Sequence, residues 1–181
     1  MAHMYPQGML RHYFSGLTEQ TFISTLGIGD PALIDYLSEL LCRFVHIDQI
    51  YLVRNVQGQQ MEELAAMIMA AEGYPPEGRT RREVYRHIGD FTLFWTGLFP
   101  EQLKRMQSRF NHDFFIEYCT QGKRSYLIAS TFDDETSREE APVLRRLSNE
   151  FELCAYGLNH VRAEWTHQGT DGMPFGQSTE E

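Results

Sequence analysis

The chain has 181 residues, 42% hydrophobic and 23% charged, long enough for one domain with a sizeable core and too apolar for an intrinsically disordered segment. Its 25 acidic against 16 basic residues give a formal net charge of −9, a field that repels phosphate backbones and disfavours nucleic acid as a partner. No apolar run approaches the ~20 residues of a membrane span, and no basic segment with an apolar core opens the chain, so the sequence reads as soluble and cytoplasmic, with no membrane partner.

The opening MAHM reads in part as a cloning remnant, and residues 1–9 as a flexible N-terminus ahead of a helical domain over 10–167. The stretch LRHYFSGLTEQTFISTLGIGD has no steady period; it is expected to hold a short helix ended by Gly27 and Gly29. Asp30 is then a candidate N-cap with Pro31 at the first helical position, and Leu33, Leu37, Leu40, Leu41, Phe44, Asp48 and Tyr51 follow at helical spacing. RNVQGQQ reads as a loop around Gly58. The run MEELAAMIMAAEG is rich in strong helix formers and stops at Gly73, before the YPPEG break.

Helices are expected over 79–98, 100–110 and 112–130, with the Phe99–Pro100 step as one junction and Asn111 as the N-cap of the third. TFDDETSREEAP reads as a loop. Beyond it Leu144, Leu147, Phe151, Cys154, Leu158, Val161 and Trp165 alternate steps of three and four, which predicts one long C-terminal helix with a buried seam. The Gly-rich residues 168–181 have no period and are expected to form a flexible tail. YLIASTF is β-prone, but a lone strand has nothing to pair with, so the fold class is all-α: a single-domain bundle of five to seven helices.

The three cysteines, Cys42, Cys119 and Cys154, are widely separated and carry no CxxC, so they read as reduced thiols in or near the core. In REVYRHIGDFTLFWTGLF, the residues Glu83, His87 and Asp90 lie at i,i+4 and i,i+3 spacing beside the sector of Val84, Ile88, Phe91, Trp95 and Leu98. Two carboxylates reaching one imidazole would raise its pKa, as a general acid or pH switch requires. The competing expectation is a polar seam on a core-building helix, because the arginines of RTRREVYRH offer both carboxylates other partners. The same helix has bulky residues nearly all round, so either both sides pack within the domain or a second chain covers one.

His160, Glu164 and His167 repeat the spacing and include an ExxH match, a pattern that two-metal helical bundles use on two helices; here it occurs once, on the side opposite the seam, so no metal or other cofactor is expected there. GKRS at 122–125 resembles the end of a phosphate loop, but the position needing its first Gly is Glu117, and Gly122 reads instead as a point of close helix approach. Arg79, Arg81, Arg82, Arg86, Lys104, Arg105, Arg109, Lys123 and Arg124, with Arg145 and Arg146, would make an anion-binding strip only if their helices adjoin. No catalytic motif is established. The sequence points to a domain that acts by binding a protein partner or a copy of itself; the alternative is an enzyme or small-molecule sensor with a pocket beside helix 79–98, using His87 with Glu83 and Asp90.

Overall fold

The computed structural model describes residues 7–51 and 59–168. They form eight helices: α1 (Gln7–Leu26), α2 (Pro31–Tyr51), α3 (Gln59–Gly73), α4 (Arg79–Leu98), α5 (Pro100–Phe110), α6 (Phe114–Ala129), α7 (Glu135–Asn149) and α8 (Phe151–Gln168). The all-α bundle holds, and no strand occurs among the described residues. Most of the expected flexible ends and of the 54–60 loop lie outside the described residues, although α1 already includes Gln7, Gly8 and Met9. No helix among the described residues is long and apolar enough to cross a membrane.

The helix count exceeds the expected five to seven because the long C-terminal helix is two helices. Asp134 caps a new helix where a loop was expected: its carboxylate accepts from the Ser137 N–H at 2.9 Å, and α7 runs from there with Pro142 inside it. At Glu150 the backbone leaves helical geometry (φ −115°, ψ 30°) and α8 begins. All seven seam residues are buried all the same. The break lets one apolar stripe serve two directions, since α7 packs mainly on α6 while α8 packs between α4 and α1.

The local chemistry explains the other ends. Gly27 adopts a left-handed φ of 67° and donates to the Ile23 carbonyl at 3.1 Å, which stops α1 after a full 20 residues. Asp30 caps α2 through the Ala32 and Leu33 amides, as its position before Pro31 implies. Asn111 is not the N-cap of α6: it takes the left-handed conformation (φ 53°, ψ 38°) and closes α5, and Asp113 caps α6 through the Ile116 N–H. Asparagine suits both places, being the side chain that best tolerates a left-handed backbone and an efficient cap.

Helix α4 is the centre. Every residue from 88 to 98 is buried, so both of its bulky sides pack within this one chain. It lies closest to α6, with α8, α3 and α2 around it. Small residues permit the approach: a Cβ on Gly89 would fall 2.6 Å from the Tyr126 ring, and one on Gly97 2.8 Å from Leu158 Cβ. Phe44 of α2 stacks on Phe94 at 4.8 Å, and Phe14 of α1 meets Trp165 of α8 edge-on at 5.0 Å.

Two glycines in helix interiors should therefore respond oppositely to alanine. A Cβ on Gly122 would overlap the Phe151 ring and fall 2.5 Å from Thr92 Oγ1, so Gly122→Ala should destabilise by about 1–3 kcal/mol. Gly16 has nothing within 4 Å, so Gly16→Ala should stabilise by about 0.4–1 kcal/mol. Urea unfolding of both variants checks the packing, and a neutral Gly122→Ala would refute the close α4–α6–α8 junction.

Candidate functional site

The turn YPPEG fixes where α4 starts, and its first turns carry Arg79, Arg82 and Arg86 at i, i+3 and i+7, on one face. That face looks into a cleft of about 900 Å³. Ala32, Asp35, Tyr36 and Glu39 of α2 form a second wall, and Thr136, Ser137, Glu139, Glu140 and Val143 of α7 form the third. Three arginines and five carboxylates line it, with Glu83 supplying the fifth.

The floor is an ion-pair network. Arg82 is only 4% exposed; its Nη1 donates to Glu83 at 2.7 Å and its Nη2 to Glu140 at 2.6 Å. Arg86 Nη2 lies 3.2 Å from the other Glu140 oxygen, and its Nη1 lies 3.4 Å from Glu83. Glu140 thus bridges α7 to α4 across the cleft. Arg82 Nε is buried with no hydrogen-bond partner.

Beneath that floor sits Asp90, which is 0% exposed. Its Oδ1 accepts from the Tyr36 hydroxyl at 2.7 Å and the Tyr126 hydroxyl at 2.8 Å, and its Oδ2 accepts from Arg43 at 3.0 Å. Arg86 Nε donates in turn to the Tyr36 hydroxyl at 3.3 Å. Burial first, and then the Asp90 charge, push both phenols well above their ordinary pKa of 10.0, so they remain donors. The charge is compensated by one guanidinium in direct contact and a second through Tyr36, and the arrangement links α2, α4 and α6.

The sequence-derived triad is drawn apart by these partners. Glu83 bonds Arg82 and Arg86, and Asp90 bonds the two tyrosines and Arg43. His87 keeps an exposed edge while its ring stacks on Phe44 at 5.9 Å and 13°. Crowding by the protein pushes its pKa below 6.5, with Arg43 and Arg86 acting in the same direction, against the pull of Asp90. The expected upward shift is therefore corrected to a downward one, because neither carboxylate is spent on the ring.

On α8, His160 is half-buried with its ring 4.5 Å from Tyr156, while Glu164 and His167 are exposed. Among the described residues no three His, Cys, Asp or Glu side chains gather as a metal site would require. The thiols are poor nucleophiles: burial raises all three, Cys119 to about 11 and Cys154 to about 12. The basic residues divide among different partners. Lys123 pairs with Glu152 and Arg146 with Asp30 and Glu150, and of the whole set Arg79, Arg82 and Arg86 line the cleft. Tyr36, Arg43, Tyr126 and Glu140 were missed by the sequence reading. The one available signal was Asp90 itself, a carboxylate in an apolar run that must find donors if buried.

No family model, curated protein or solved structure matches the chain, so the site is read from its own residues.

Two outcomes follow. Asp90→Ala should cost about 3–5 kcal/mol in denaturant unfolding, because Arg43 and two phenols lose a buried partner; a cost below about 1 kcal/mol would mean the network is dispensable. For His87, the unfolded ring binds the proton more readily than the folded one, so protonation favours unfolding. Its penalty is absent well above about pH 6.5, grows as pH falls toward the folded pKa, and is constant below it. His87→Gln should remove that component of the stability–pH curve, and imidazole NMR should place the folded pKa below that of the unfolded chain; a higher folded value refutes the assignment.

Proposed function

We propose that the chain is a soluble, cytoplasmic recognition domain that acts by binding, and that the cleft between α2, α4 and α7 takes a small ligand bearing charges of both signs. The supporting observation is the distribution of charge around one opening: Arg79, Arg82 and Arg86 on α4, against Asp35 on α2 and Glu139 on α7, with Glu39 of α2 beside them and paired to Arg11 of α1 at 2.5 Å. A purely anionic ligand meets too many carboxylates, and a purely cationic one meets the guanidiniums. A zwitterion satisfies both walls. Recognition without chemistry is favoured because the hydroxyls at the cleft and beneath it are already donating: Ser137 to Asp134 at 2.5 Å, and Tyr36 and Tyr126 to Asp90.

A second reading, self-association, draws on apolar side chains left outside: Ile116 (61% exposed) and Leu127 on α6, and Leu153 and Tyr156 (55% exposed) on α8. One preparation addresses both readings. Saturation-transfer NMR against a set of small zwitterions should give signals that weaken in Asp35→Asn/Glu139→Gln and fall with added salt, as attraction between partly exposed charges does. Signals unaffected by the double variant would remove the cleft from consideration. Light scattering of the same samples should show a concentration-dependent dimer if the apolar faces meet; a strict monomer rejects that reading.

A further inference from the structure

The stereochemistry at Arg82 says more about the ligand. Nε and Nη2 of a guanidinium lie along one edge, and a bidentate oxyanion uses both. Glu140 does not. It has two oxygens and divides them between two arginines: Oε2 takes Arg82 Nη2 at 2.6 Å, and Oε1 takes Arg86 Nη2 at 3.2 Å. The Nε–H beside Arg82 Nη2 is left buried and unpaired, a cost of about 1–3 kcal/mol that native structures rarely leave in place.

An acceptor with three oxygens on a tetrahedral centre would remove that deficit. Two oxygens would complete the Arg82 edge and the third would meet Arg86. We propose that the paired guanidiniums of Arg82 and Arg86 form a phosphoryl-group site at the floor of the cleft, and that Glu140 holds this place in the unliganded protein. The proposal rests on the zwitterion reading: the phosphoryl end lies on α4 and the cationic end faces Asp35 and Glu139. A phosphate monoester also carries about −1.5 to −2 charges, more than the carboxylate it displaces.

Glu140 is placed to leave. Its side chain is 25% exposed, and it sits in the first turns of α7. Pro142, two residues on, has no N–H to return to the Arg138 carbonyl, so this part of the helix lacks one internal bond. The main packing of α7, on α6, and the Ser148 hydroxyl's bond to the Lys123 carbonyl at 2.7 Å do not depend on Glu140.

The test uses the full chain with three probes: O-phosphoethanolamine, β-alanine and inorganic phosphate. Calorimetry should show O-phosphoethanolamine binding at least tenfold more tightly than either of the others, and Glu140→Ala should tighten it tenfold or more by vacating the site. Arg82→Lys, which keeps a charge but loses the two-donor edge, should weaken it tenfold or more. Should that variant fail to fold, the Arg82 Nε–H resonance of the parent gives the same information, since O-phosphoethanolamine should shift it. Glu140→Ala without tighter binding, or an unmoved Nε–H at saturation, overturns the proposal. β-Alanine binding as tightly as O-phosphoethanolamine overturns the phosphoryl assignment while the zwitterion reading stands. Inorganic phosphate binding as tightly keeps the anion site and overturns the zwitterion reading, and silence from all three probes in parent and variant overturns both.

Discussion

The burial of one carboxylate organises this molecule. Asp90 sits in the middle of α4, around which α6, α8, α3, α5 and α2 pack, and has no exposed surface. A lone carboxylate there would neutralise or hold the core open, because desolvating a charge costs several kcal/mol even after relaxation. It is tolerated because α2 presents Tyr36 and Arg43 and α6 presents Tyr126, all three directed at it. Such a requirement is directional in a way apolar burial is not. Leucines and phenylalanines accept many relative placements of α2, α4 and α6; three donors on one carboxylate accept few.

The cleft is a consequence of that registration. Tyr36 ties its lower end to Asp90 and to Arg86, so the guanidinium of Arg86 stands at a fixed height above the core. One turn toward the N-terminus of α4, Arg82 is held at nearly full burial between Glu83 and Glu140. The wall opposite belongs to the first turns of α7, which reach α4 through the carboxylate of Glu140. Charged groups from three helices are thus gathered around one opening, with Glu140 reaching from α7 to both arginines.

Much of the architecture was legible in the residue pattern, and the failures have identifiable causes. The 79–98 and 100–110 helices fall where the proline breaks place them, and the apolar seam from Leu144 to Trp165 is buried throughout. The break at Glu150 was invisible because no proline or glycine marks it; the helix divides there so that one stripe can face both α6 and the α1–α4 pair. The Glu83–His87–Asp90 spacing was expected to let both carboxylates reach the imidazole; they instead bond guanidiniums and phenols. Arg82 and Arg86 lie on the same helix as Glu83 and were on view; Tyr36 and Tyr126 lie 54 and 36 residues from Asp90.

That separation marks the boundary between the two sources of information. Periodicity, caps and breaks are local, set by the 3.6-residue turn and by which side chains satisfy a helix end, so the sequence by itself determined an all-helical chain, most of its elements and which faces are apolar. Which polar groups meet depends on how those faces pack, a choice made by steric fit at Gly89, Gly97 and Gly122 and by the donors Asp90 demands. The cleft, the orphaned Arg82 Nε and the bridging Glu140 belong wholly to that second level, because each depends on helices distant in sequence being brought together.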